Sequence, residues 1–243
     1  MTLILQNSIP YMPDWDARLP GIAPLARDGW IIQDEAFTAQ MSLRDRLIKE
    51  CPELVIADAG ASDAAKNEVL EQTLKIVSER DGYEVSAKGI IRPDGVCVPL
   101  SGNPLITAAR LVQEDLCLHE KRGDQHVLTA AVLCFPASWT LSEKIGRPLI
   151  TIHDTVPDFD DLIARRVQRL FDGIQTDRPL WRHNVMRYLN PDLFHPRSVD
   201  VPREQNEGGD YVRSEHQSLV RMPKSRAVLF AIHTFVVRET LKD

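Results

Sequence analysis

The order of apolar and polar positions divides this chain into a helical beginning and a strand-rich remainder. Over residues 38–50, Ala39, Leu43 and Leu47 recur at four-residue spacing, which predicts a helix that stops near Pro52. Ser62 is placed to cap a second helix over residues 63–80, with Val69, Leu70, Thr73 and Val77 on one stripe. Glu71 and Lys75 form an i,i+4 pair on its wet side. The period then shortens to two. Residues 84–92 and 96–100 read as extended pieces joined by a Pro-Asp-Gly turn, and Asn103-Pro104 opens a short helix leading to Leu111. Residues 114–120 and 127–135 are strand candidates on either side of a turn. The second, VLTAAVLCF, is apolar on both faces, as a central strand would be. Residues 149–152 predict a short strand, residues 159–171 a helix capped by Asp158, and residues 211–221 with 227–237 a terminal hairpin. The proline-rich opening to about Trp30 predicts a wrap over the domain surface.

These elements sum to an α+β chain: a mainly antiparallel sheet, helices packed on one side, and an N-terminal helical extension. One domain over residues 1–243 is expected, with the wrap and helices to about residue 82 and the sheet-rich core after it. A hydrophobic fraction of 43% with 26% charged residues excludes wholesale disorder. The formal net charge of −6 argues against a broad nucleic-acid or anionic-membrane surface. No apolar run approaches the ~20 residues that span a bilayer. The opening lacks the basic n-region of a signal peptide, so a cytoplasmic protein is expected. Cys51, Cys97, Cys117 and Cys134 have no metal spacing, and the last two sit in apolar runs as buried thiols do.

No glycine-rich phosphate loop, Cys-x-x-Cys pair or HExxH word names a chemistry. Three longer words do. PLARDGWIIQDEAF (24–37), the run from 112 to 157 containing VQEDLCL, CFPASW and EKIGRPLITIHDTVP, and RSEHQSLVRMPKSRAVLFAIHTF (213–235) resemble the α-subunit-like family of haem-dependent oxidative N-demethylases. The resemblance implies a PAS-like haem-binding sheet, haem b, a small alkylamine substrate, dioxygen, and electrons from a separate reductase subunit. Two positions depart from the family's words: His216 stands where the family has arginine, and Val185 follows Arg182-His183-Asn184 where the family has tryptophan.

The terminal hairpin holds the richest candidate chemistry. By strand alternation Arg213, Glu215, Gln217 and Arg221 share one face. This is either an exposed edge with solvated charges or a polarised pocket in which Glu215 holds an amine and an arginine assists bound oxygen. His153, in the Ile-His-x-x-Val-Pro word that the resemblance makes an anchor, is the candidate iron ligand, with His183 and His233 as competitors. Lys144 and Arg147 are candidate partners of haem propionates, and Trp139 is a pocket wall or plain core. Beside the enzyme stand two other readings, a haem-binding sensor or storage module and a haem-free scaffold.

Overall fold

The computed structural model describes residues 3–12, 15, 21–152, 161–202 and 208–239. In chain order the elements are β1 (Ala23–Pro24), α1 (Phe37–Glu50), α2 (Pro52–Val55), β2 (Ile56–Asp58), α3 (Asp63–Val77), β3 (Glu84–Ser86), β4 (Gly89–Ile91), β5 (Cys97–Val98), α4 (Pro104–Ala109), β6 (Asp115–Arg122), β7 (Gln125–Val132), α5 (Leu149–Ile152), α6 (Asp161–Gly173), β8 (Leu180–Tyr188), β9 (Tyr211–Arg221) and β10 (Val228–Arg238). Seven strands form an antiparallel sheet in the order β1-β8-β9-β10-β6-β7-β2, and β3-β4-β5 form a small second sheet. The chain is therefore mixed α+β.

The local signals explain most of these boundaries. Ser62 accepts from the Ala65 N–H at the start of α3, and Asn103 accepts from Leu105 and Ile106 N–H at the start of α4. Asp58 accepts from the N–H groups of Gly60 and Ala61, which turns the chain from β2 into α3. The PDG turn separates β4 from β5, but the segment before it folds into two strands rather than one.

Four expectations need correction. Leu149–Ile152 is a single helical turn and not a strand. Pro148 presets its first residue, Thr151 Oγ donates back to the Pro148 carbonyl at 3.0 Å, and the buried residues are Leu149 and Ile152, an i,i+3 pair. β7 is not central: it lies second from the sheet margin, beside the three-residue β2. Glu71 pairs with Lys224 at 2.9 Å instead of Lys75, because the β9–β10 turn docks on α3. There the neighbouring Glu68 accepts from the backbone N–H of both Lys224 and Ser225.

The fourth correction concerns layers. Helices cover both faces of the sheet, not one. Directly paired residues of neighbouring strands share a face. Leu116, Leu118, Ala130, Val132, Val220, Leu229 and Ala231 pack against Leu47, Val69, Val77, Leu105 and Ala108 of α1, α3 and α4. The opposite face presents Cys117, Leu128, Ala131, Leu219, Val228 and Ile232 to Leu141, Leu149, Ile152 and Phe171. The predicted cap Asp158 lies outside the described residues.

Candidate functional site

β9 is hydrogen-bonded on both sides, by β8 and β10, so its charges are not those of an exposed edge. Arg213, Glu215 and Arg221 are 3%, 4% and 5% exposed. They do share a face, as alternation requires, yet neither arginine is a hydrogen-bond partner of Glu215. Arg213 donates to the carbonyls of Phe135 (2.6 Å), Leu193 (3.1 Å) and Asp192 (3.4 Å). Arg221 donates to the carbonyls of Arg226 (2.6 Å), Ile174 (3.2 Å) and Phe171. Residues two apart in a strand are separated by roughly 7 Å. The long arginine stems use that distance to reach chain ends whose carbonyls have no ladder partner. The CFPASW word is held this way: Arg213 takes the Phe135 carbonyl while Asp115 accepts from the Cys134 and Phe135 N–H groups.

Glu215 is held by amides instead. Asn184 Nδ2 donates to its Oε2 at 3.0 Å and Gln217 Nε2 to the same oxygen at 2.8 Å, while Asn184 Oδ1 accepts from the Glu215 N–H. Gln217 in turn accepts from Arg182 Nε at 2.7 Å. The four side chains form one chain across β8 and β9: Arg182 to Gln217 to Glu215, with Asn184 from the other side. Desolvation lowers the pKa of Arg182, and the charge of Glu215 opposes that shift. Oε1 of Glu215 and the two terminal amino groups of Arg182 have no hydrogen-bond partner among the described residues, and none of the three counts among the sealed, unpartnered atoms of the protein. A carboxylate and a guanidinium each stand half-satisfied on one buried sheet face.

The remainder of that face is apolar, with a cationic margin. Cys117, Leu128 and Ile232 cluster with Trp139, Phe230 and Ile152. Lys144 Nζ lies 4.6 Å from the centre of the Trp139 ring. Burial raises the Cys117 thiol well above its usual range, and the charges of Asp115 and Glu215 push it the same way while that of Lys144 opposes them. Burial likewise pushes Cys134 up to about 12. Burial thus favours the neutral thiol at both sulfurs. Arg147 is exposed on the turn after Gly146, which hydrogen bonds to Leu128 of β7 in both directions hold in place: Gly146 N–H donates to the Leu128 carbonyl, and Leu128 N–H to that of Arg147. His153 lies outside the described residues, but its neighbour Ile152 belongs to the cluster with Cys117 and Trp139.

The competing histidines stand on the other face. His183, His216 and His233 are in register across β8, β9 and β10. His233 is fully buried with Nδ1 2.9 Å from Glu114 and Nε2 3.1 Å from Asp34. Burial alone would lower its pKa, but hydrogen bonds and charge from the two carboxylates outweigh that and raise it to about 9. Both ring nitrogens of His233 are therefore occupied by carboxylates. Burial, reinforced by the charge of His233, holds His216 down at about 4, and its ring stacks on Trp181 at 4.6 Å. His183 packs 4.6 Å from Tyr11. Sequence reading missed this cluster, and it left Gln217 without a role. The partners of both come from strands distant in sequence, and only the β8–β9 register brings Arg182 opposite Gln217 and Asn184 opposite Glu215.

With that geometry in view, residues 21–240 match the family described as haem-dependent oxidative N-demethylase, alpha subunit-like. The chain belongs to this family. Its name implies haem dependence and a multi-subunit enzyme. Haem needs an apolar wall and cations for its two carboxylates. The sheet face carries apolar residues in Cys117, Leu128, Phe230, Ile232 and Trp139, packed under Leu141 and Ile152, with Lys144 against Trp139 and Arg182 on β8 as nearby cations, while Arg147 is exposed on its turn. Its donor set fits the group. Two cavities lined by described residues are too small for it and lie elsewhere. One, of about 80 Å³, is beside Trp30 and Arg221; the other, of about 10 Å³, is between β2, β7 and α4. Among the described residues no helix is long and apolar enough to cross a membrane.

Proposed function

We propose that this family member is the haem-binding catalytic chain of an oxidative N-demethylase acting on a small alkylamine. The observation that carries the reading is the half-paired Glu215 carboxylate on the same sheet face as the apolar cluster of Cys117, Leu128 and Ile232. Haem b, when bound, supplies the iron at which dioxygen is used. In the overall balance an N-methyl amine, dioxygen, two electrons and two protons give the demethylated amine, formaldehyde and water. The sequence has neither a Gly-x-Gly-x-x-Gly fingerprint nor a four-cysteine cluster, so the electrons are assigned to a separate reductase subunit.

Each residue of this chain then has a task. Glu215 Oε1 holds the protonated amine and accepts the proton that must leave before the nitrogen lone pair is available. Asn184 and Gln217 fix Oε2, so the free oxygen points one way. Arg213 and Arg221 position β9 through backbone carbonyls and act on the reaction only through that strand. Trp139 is the wall, Lys144 and Arg147 take the propionates, and His153 ligates the iron. A PAS-like reading of the core is supported by the order β8-β9-β10-β6-β7, with α5 and α6 inserted between β7 and β8 to cover the site face.

The two departures from the family's words favour an enzyme over a binding module. His216 and Val185 lie on the face of β8 and β9 away from Glu215, His216 against Trp181 and Tyr11. The substitutions are therefore outside the proposed pocket. The test is haem content together with amine-dependent formaldehyde release, measured with an added reductant on wild type and His153→Ala. The expected result is a Soret band and formaldehyde from wild type, and loss of most haem from a folded His153→Ala protein. Haem without formaldehyde would leave the sensor reading, and absence of haem the scaffold reading.

A further inference from the structure

The same site carries a second half-satisfied group, and that group speaks to the class of amine. Arg182 uses only Nε, on Gln217, and keeps both terminal amino groups for something outside the protein. Glu215 uses only Oε2 and keeps Oε1. Arg182 is directly opposite Gln217 and Asn184 directly opposite Glu215, so Arg182 and Glu215 are diagonal neighbours on adjacent strands. Diagonal Cα atoms are roughly 7–8 Å apart. Gln217 lies between the two charged groups and accepts from one while donating to the other, which prevents them from closing on each other as a plain ion pair. A simple alkylamine would satisfy Glu215 and leave the two terminal amino groups of the partly exposed Arg182 without a protein partner among the described residues.

We infer that the amine bound here also carries a carboxylate: the substrate class is an N-methylated amino acid, its ammonium on Glu215 Oε1 and its carboxylate on the terminal amino groups of Arg182. This rests on the proposed demethylase reading and narrows it. Guanidinium and carboxylate match as a two-pronged pair, which fixes the ligand's long axis across β8 and β9 as well as its charge. The Glu215–Arg182 diagonal thereby selects for length, since an amine and a carboxylate separated by more than a few bonds would not reach both groups. A haem propionate is the other carboxylate that could occupy Arg182, and the experiment separates the two.

The test is calorimetric binding of N,N-dimethylglycine, dimethylamine and acetate to the haem-loaded chain, as wild type, Arg182→Gln and Glu215→Gln, with haem content and melting temperature measured on each. The expected result is that wild type binds N,N-dimethylglycine at least ~10-fold more tightly than dimethylamine. Arg182→Gln erases that difference while keeping haem content, and Glu215→Gln weakens both amines. Equal affinity for the two amines, unchanged in Arg182→Gln, overturns the inference and leaves the alkylamine reading standing. Loss of haem from Arg182→Gln at unchanged melting temperature assigns Arg182 to a propionate and overturns it as well. Failure of both amines to bind a haem-loaded wild type defeats the underlying demethylase reading instead.

Discussion

The two faces of the sheet treat buried charge in opposite ways. Where α1 meets the sheet, Arg44 and Asp115 are fully buried at 2.9 Å, His233 is clamped between Asp34 and Glu114, and Gln6, Gln40 and Gln113 tie Asp34 to the backbone of β10. The arrangement joins α1, β6 and β10 to the segments that carry Gln6, Asp34 and Glu114, and occupies both ring nitrogens of His233, with Arg44 Nε and Glu114 Oε2 sealed without a partner. On the other face Glu215 and Arg182 are held firmly on one side only. Closed networks hold a fold, and half-closed ones are where a ligand completes the hydrogen bonding. The difference separates histidines and arginines that look alike in the sequence.

The largest effect expected from breaking this contrast is on the closed face. Arg44→Met leaves Asp115 buried without its cation and should cost about 3–5 kcal/mol, read by chemical denaturation. A loss below about 1 kcal/mol would mean that the network is not the structural half of the comparison. The His233 clamp comes next and is sharpened by pH. Because its folded pKa of about 9 lies above the unfolded value near 6.5, its stabilisation is complete below pH 6.5 and fades as pH rises through 9. The loss should be on the order of 3 kcal/mol, and His233→Phe should flatten the stability profile across that window. A smaller effect, about 1 kcal/mol, is expected from Asn103→Ala, which removes the cap of α4 on the same face. Glu215→Gln should change stability least of all, because an amide oxygen can still accept from Asn184 and Gln217.

Much of the fold was legible in the sequence, and the residues show where legibility ended. Caps at Ser62 and Asn103, the 211–221 strand and the alternation of Arg213, Glu215 and Gln217 are local facts written in local sequence. Leu149–Ile152 was misread because four apolar residues fit either period, and only Pro148 and the i,i+3 burial decide it. The site was half legible. Glu215 stood out by type and position, but its arginine partners were assigned to the wrong acceptors. A side chain's direction along its strand depends on which carbonyls are orphaned nearby, and all of those but Arg226 belong to segments 20 to 78 residues away. The roles of Arg182, Asn184 and Gln217 follow from the β8–β9 register, which periodicity does not contain.

The central claim is that the unpartnered oxygen of Glu215 receives the amine on the face under α5 and α6. It is tested most directly by titrating haem-loaded wild type and Glu215→Gln with dimethylamine at neutral pH, following the haem spectrum. The account predicts equal haem content and melting temperature in the two proteins, with amine affinity at least ~10-fold weaker in Glu215→Gln, as expected for loss of a charge-assisted hydrogen bond. Equal affinities would contradict it and return Glu215 to the structural side of the comparison.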